Sequence, residues 1–155
     1  MSQQILEEMY EASASNVKRT GWEKPEHGES YYYENALGHV QTEVLDEDST
    51  VQMEVLFKKA NCYTSRALAE DIARGDELIR NLRRMASDTS ASVDHQIGGY
   101  TITYNYVNKC LEPGATGPFM ALGDIIFTTE EAVQNAITTY RDELLWYFTE
   151  MKCQV

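Results

Sequence analysis

Apolar and polar positions alternate with period two over 100–107, where Ile102, Tyr104 and Tyr106 are separated by Thr101, Thr103 and Asn105. Side chains along a strand point to opposite faces in turn, so this stretch predicts a half-buried strand. The same period runs through 39–45, with Val40, Thr42 and Val44 on one side and Gln41 and Glu43 on the other. Upstream, 30–34 is tyrosine-rich and is followed by the turn signal Asn35 to Gly38, which completes a predicted hairpin. A third strand is expected at 51–58, where Val51, Met53, Val55 and Phe57 alternate with Gln52, Glu54 and Lys58. In the second half the loop "EPGATGP" (112–118) is expected to lead into a strand at 119–127.

Elsewhere the spacing changes to three and four. Leu68, Ile72, Gly75, Ile79, Leu82 and Met85 or Ala86 define one helical face; Val133, Ile137, Tyr140, Leu144, Tyr147 or Phe148, and Met151 define another. A shorter helix over about 2–12 carries Ile5, Leu6, Met9 and Tyr10 on one side. Both long helical patterns open on a hydroxyl residue, Ser65 and Thr128, expected to accept bonds from the first free helical N–H groups. Thr128 with Glu131 has capping-box spacing, whereas Ser65 has Leu68 in that place. Arg80, Arg83 and Arg84 crowd the end of the first helix, where cations suit the helix dipole.

These signals occur twice. A shift of 63 positions brings "ANCYTSRALAEDIA" (60–73) onto "GDIIFTTEEAVQNA" (123–136), pairing Tyr63 with Ile126, Ser65 with Thr128 and Ala69 with Ala132. The expected fold class is therefore α+β: two tandem, degenerate β-hairpin(-β)-α units packed together, with an N-terminal helix. The expected divisions are 1–24 for the helix and linker, 25–86 for the first unit, 87–97 for a polar linker and 98–155 for the second unit. A unit of roughly sixty residues is marginal by itself, so a shared core is the economical expectation.

At 155 residues and 43% hydrophobic content the chain can fold. Its longest apolar runs are far too short to span a membrane as a helix. The first twenty residues lack the basic start and apolar centre of a signal peptide, and Cys62, Cys110 and Cys153 show no tight spacing. A reducing compartment, the cytoplasm, is expected. The net charge of −12 is shared evenly, −6 on 1–86 and −6 on 87–155. Such a surface repels phosphate backbones and acidic lipid, so nucleic acid and membrane are not expected partners. The acids serve solubility or face a basic protein.

Chemistry is sparsely marked. His27, His39 and His95 stand in unlike contexts, and Asp94-His95 falls in the linker. Cys62 precedes a helix start, a setting that can activate a thiol, but no histidine stands beside it in sequence. The acidic run Asp46-Glu47-Asp48 lacks the glycine and the terminal glutamate of a calcium loop. The expectation is no enzyme, no catalytic residue, no cofactor and no metal site. Two candidate binding sets remain. Asp46, Glu47 and Asp48 form an exposed acidic contact for a partner, and Tyr32, Tyr104 and Tyr106 either line a ligand cleft or belong to the core.

The segments "WEKPEHGESYYYENALG", "FKKANCYTSRALAE", "YTITYNYVNK", "LGDIIFTTEEAVQNAI" and "DELLWYF" resemble a family of small phage and prophage proteins of Gram-positive bacteria. Trp22, Pro25, Gly28, Glu29 and Tyr31 to Tyr33 match its opening motif loosely. Residues 60–69 and 123–131 echo its paired strand–cap–helix segments, and the likeness spans about 22–148. Two departures stand out. Ala67 and Leu68 replace a glutamate pair, and Arg141 replaces a helix-breaking glycine, so the last helix is expected to run on. The resemblance implies a mobile-element origin. It favours an acidic interaction protein that binds and inhibits a host protein, such as a nucleic-acid-binding nuclease or effector, in the manner of an anti-CRISPR or anti-restriction factor. The alternatives are a sponge for a small nucleotide signal, possible as an oligomer, and an accessory phage protein without inhibitory role. Only three Lys or Arg residues in 87–155 speak against the sponge.

Overall fold

The computed structural model describes residues 19–88, 98–117 and 125–151. The expected helix at 2–12 lies outside these residues, as do 89–97 of the expected linker. The chain is an α+β protein of tandem units. It divides into Met1–Ala69 and Glu70–Val155, a division that falls inside a helix.

In the first unit β1 (Ser30–Glu34) and β2 (Val40–Val44) pair antiparallel, with Tyr31 opposite Glu43 and Tyr33 opposite Gln41. The turn is held by Asn35, whose Oδ1 accepts from the N–H groups of Leu37 and His39 at 2.9 and 3.0 Å. On its other edge β1 meets a single strand-like residue. Tyr32 and Tyr63 exchange both backbone bonds, at 2.8 and 2.9 Å. Two residues away the Asn61 amide continues the ladder with its side chain, accepting from Glu34 N–H and donating to Glu34 C=O, both at 2.8 Å.

The inward face of this hairpin is not the one that alternation predicted. Val44 is 51% exposed, while Tyr31 is fully buried. Tyr31 donates to Glu43 Oε2 at 2.6 Å and Tyr33 donates to Glu43 Oε1 at 3.2 Å. One carboxylate thus satisfies two phenols, which lets a tyrosine face serve as the core side. Burial first, then the hydrogen bond and charge of Glu43, raises the pKa of both tyrosines.

A larger correction concerns 51–58. This segment is helix α1 (Thr50–Lys58), not a third strand. Met53 is buried and Leu56 packs beside it against Tyr31, Leu45 and Cys62, a spacing of three that only a helix brings to one side.

Glu23 ties the start of this unit to Thr64. Its Oε1 accepts from Thr20 N–H (2.7 Å) and Thr20 Oγ1 (2.8 Å), and its Oε2 from Gly21 N–H (2.9 Å) and Thr64 Oγ1 (3.1 Å). The Thr20 bonds lead in holding its pKa down at about 2. A depressed carboxylate stabilises the fold above its unfolded value of about 4.3 and loses that contribution as pH falls. Acid titration followed by NMR should therefore show Thr20, Gly21 and Thr64 shifting together with a midpoint at about pH 2, and Glu23→Gln should abolish that transition. A Glu23 midpoint at the ordinary glutamate value would refute the bonding.

Helix α2 (Arg66–Asp88) begins in the first unit and continues into the second. Leu68 N–H reaches Ser65 Oγ at 3.4 Å, a long cap bond. Gly75 lies in mid-helix, where a Cβ would sit 2.8 Å from Met151 Cε; glycine permits that approach.

Strands β3 (Tyr100–Asn105) and β4 (Cys110–Ala115) pair antiparallel. The expected loop at 112–118 is therefore strand as far as Ala115. Tyr100 spends its N–H and C=O on Phe127, at 2.9 and 2.8 Å, so its pairing with Ala115 is a non-hydrogen-bonded one. Ile102 opposite Pro113, two residues on, is another, and the missing proline N–H faces outward, where no ladder bond is lost. Of the expected strand 119–127, residues 119–124 lie outside the described residues and Phe127 is a lone bridge partner of Tyr100.

The following helix is α3 (Glu130–Thr139), and its N-cap is Thr129, not Thr128: Thr129 Oγ1 accepts from Ala132 N–H at 3.2 Å. The cap's worth, about 1 kcal/mol, belongs one residue later than expected. Equivalent features of the two halves then differ by 64 positions and not 63: Tyr63 with Phe127, Ser65 with Thr129, Ala69 with Val133.

The last helix does not run on. It breaks at Tyr140 (φ −116°, ψ 29°), and α4 (Arg141–Thr149) starts afresh with Asp142 and Glu143 in its first turn. Thr138 and Thr139 hydroxyls bond back to the carbonyls of Gln134 and Asn135, both at 2.8 Å, which loosens the final turn of α3. The apolar face survives the break. Val133, Ile137 and Leu144 join Phe127 with Leu78, Leu82 and Ala86 of α2 in one core.

Candidate partner-binding site

The acidic run lies between β2 and α1. Asp46 and Ser49 bind each other reciprocally: Asp46 N–H to Ser49 Oγ at 2.9 Å, and Ser49 N–H to Asp46 Oδ1 at 2.8 Å. Thr50 Oγ1 donates to Asp46 C=O at 2.7 Å, and Ser49 Oγ donates to Val44 C=O at 3.0 Å. Bonds from Ser49, backbone first, hold the Asp46 carboxyl below its usual pKa. Asp46 thus fixes the loop, while Glu47 and Asp48 stand exposed on it.

Glu43, Val44, Asp46, Asp48, Ser49 and Gln52 line one shallow, open depression. Beside it α1 shows Val51, 76% exposed, and Val55, 47% exposed. Glu54 pairs with Lys24, and Lys58 and Lys59 are exposed at the helix end. Sequence reasoning found the acids but missed the apolar stripe, because the strand reading sent Val51 and Val55 inward with Met53.

The tyrosine set is divided. Tyr32 is a half-buried residue of β1 in the first unit. Tyr104 and Tyr106 belong to the second, where Tyr104 stacks on Phe148 (5.9 Å, 13°) and meets Tyr106 edge-on (4.9 Å, 88°). A cavity of ≈ 260 Å³ in that unit is lined by Leu78, Ile102, Phe127, Leu144 and Phe148 among others, and by neither Tyr104 nor Tyr106. A smaller pocket holds Arg74, already committed to Glu143 (2.6 and 3.0 Å) and to the face of Trp146 (3.9 Å).

Cys62 is 2% exposed, and burial raises its pKa to about 11, so the thiol stays protonated. Cys110 is half-buried and Cys153 lies outside the described residues. Among the described residues no helix is long and apolar enough to cross a membrane.

The site is an acidic, hydrogen-bonded loop beside an exposed apolar helix face on an α+β scaffold. No protein-family model matches the sequence, and no curated protein or solved structure is significantly similar to it.

Proposed function

We propose that the chain is an acidic interaction protein of mobile-element type that binds a basic site on a cytoplasmic host protein and inhibits it. The observation that carries this reading is the loop at 46–48. Its backbone is pinned by Asp46, Ser49 and Thr50, while Glu47 and Asp48 project into solvent. A fixed loop loses little conformational freedom on binding, so its charges act from a preset geometry. The basic target is of the kind a nuclease or effector uses for nucleic acid, and the net charge of −12 steers encounter towards it.

The test is capture from bacterial lysate with dilute protein, comparing wild type with Glu47→Gln/Asp48→Asn. Capture should fall in the double variant and weaken as salt is raised, because exposed charges are screened beyond about 8 Å at physiological ionic strength. The melting temperature should stay nearly constant, since exposed substitutions usually cost under about 0.5 kcal/mol each. Asp46→Ala, by contrast, should lower it. Capture that ignores both the variant and salt would overturn the reading.

A further inference from the structure

The exposed face of α1 is ordered along its length. Val51 and Val55, about one turn apart, share a face of α1 turned away from the buried Met53, with Asp48 in the turn before the N-cap Ser49 and Lys59 at the C-cap. Glu47 adds to its acidic end and Lys58 to its basic end, and all four charged residues are exposed. The order is acid, apolar, apolar, base. It is symmetric about position 53: 47 mirrors 59, 48 mirrors 58, and 51 mirrors 55.

A two-fold axis through that midpoint would lay the stripe antiparallel on a second copy of itself. Glu47 and Asp48 would then meet the partner's Lys59 and Lys58, and Val51 would pack on the partner's Val55. Self-complementarity of one patch is what an isologous contact requires. We infer that α1 is a homodimer contact, formed by antiparallel pairing of this stripe with its counterpart in a second copy. The helix is nine residues long, so the contact falls well below the roughly 800 Å² per partner of a standard interface. The dimer is therefore weak and concentration-dependent. The inference does not rest on the host-binding reading, although both use Glu47 and Asp48.

Sedimentation equilibrium of the full chain at physiological ionic strength, from micromolar to millimolar, tests it. Wild type should self-associate. Lys58→Glu/Lys59→Glu and, separately, Glu47→Lys/Asp48→Lys should each weaken association about tenfold or more. The variant carrying all four reversals should regain the wild-type constant, because both ends change sign together. Circular dichroism checks that each variant folds. Independently of any variant, the methyl signals of wild-type Val51 and Val55 should shift with concentration, while those of Leu37 and Val107, exposed apolar residues elsewhere, should not. A protein that stays monomeric to millimolar overturns the inference, including one whose Val51 and Val55 methyls contact residues 1–18. Association that ignores the single-end reversals, or is not restored by the fourfold one, overturns it equally. Host capture is read with dilute protein, so failure of either reading leaves the other intact.

Discussion

A fragment comprising residues 98–155 should be unfolded, whereas one comprising 70–155 should fold. The two differ in the greater part of α2, which contributes Leu78 (3% exposed), Leu82 (4%) and Ala86 (9%) to the core built around Phe127, Val133 and Leu144. Burying a leucine side chain contributes about 1.5–3 kcal/mol. Losing two leucines, and baring the surfaces they cover, removes a large share of the roughly 5–15 kcal/mol that holds a domain together. The short fragment should give a collapsed proton–nitrogen NMR spectrum, and the longer one a dispersed spectrum with a cooperative melt. Dispersed signals from 98–155 would show that α2 is dispensable to this core.

Met53→Ala should cost about 2–5 kcal/mol, the range for emptying a buried long side chain. Val51→Ala and Val55→Ala should each cost under about 0.5 kcal/mol, as exposed positions do. The contrast separates two structures. A strand at 51–58 puts 51, 53 and 55 on one face and predicts comparable losses at all three. A helix buries only Met53 of the three, which is 1% exposed against 76% for Val51 and 47% for Val55. Urea titration of the three variants decides; equal losses would refute α1.

The same segment shows where the sequence could be read and where it could not. Over nine residues, alternation and helical spacing both fit "TVQMEVLFK", because Met53 pairs with Val55 at two and with Leu56 at three. What selects the helix lies outside the segment: Asp46 and Ser49 lock the preceding turn, and Tyr31 and Leu45 pack with Met53. Asp46 was legible as an acid near Glu47 and Asp48, but its different role follows only once the helix starts at Thr50. The first hairpin was legible because Asn35 closes its turn locally; the second was not, because 112–118 looks like a loop, although Asn105 closes its turn through the Val107 and Asn108 N–H groups at 3.0 Å. The inward face of the first hairpin could not be read, since a glutamate opposite two phenols looks like a solvent position. The helices were read in the right order; the face from Val133 through Ile137 to Leu144 was right, whereas the first long helix buries Ala69, Ala73 and Leu78 rather than Leu68, Ile72 and Ile79, because small alanines give no hydrophobic signal. The one-residue error in the cap arose because Thr128 and Thr129 are chemically alike, and only the bridge at Phe127 fixes the count.

Pro113 has a consequence for how this protein survives crowding. A sheet of two strands exposes its outer margin, and such a margin can recruit another chain and seed fibrils. With its nitrogen turned outward opposite Ile102, Pro113 leaves the middle of that margin without a donor, and Gly114 next to it offers no side chain to stack. A stray strand arriving there finds an interrupted row of bonds. The residue that made 112–118 look like a loop is the one that interrupts the free margin of β4.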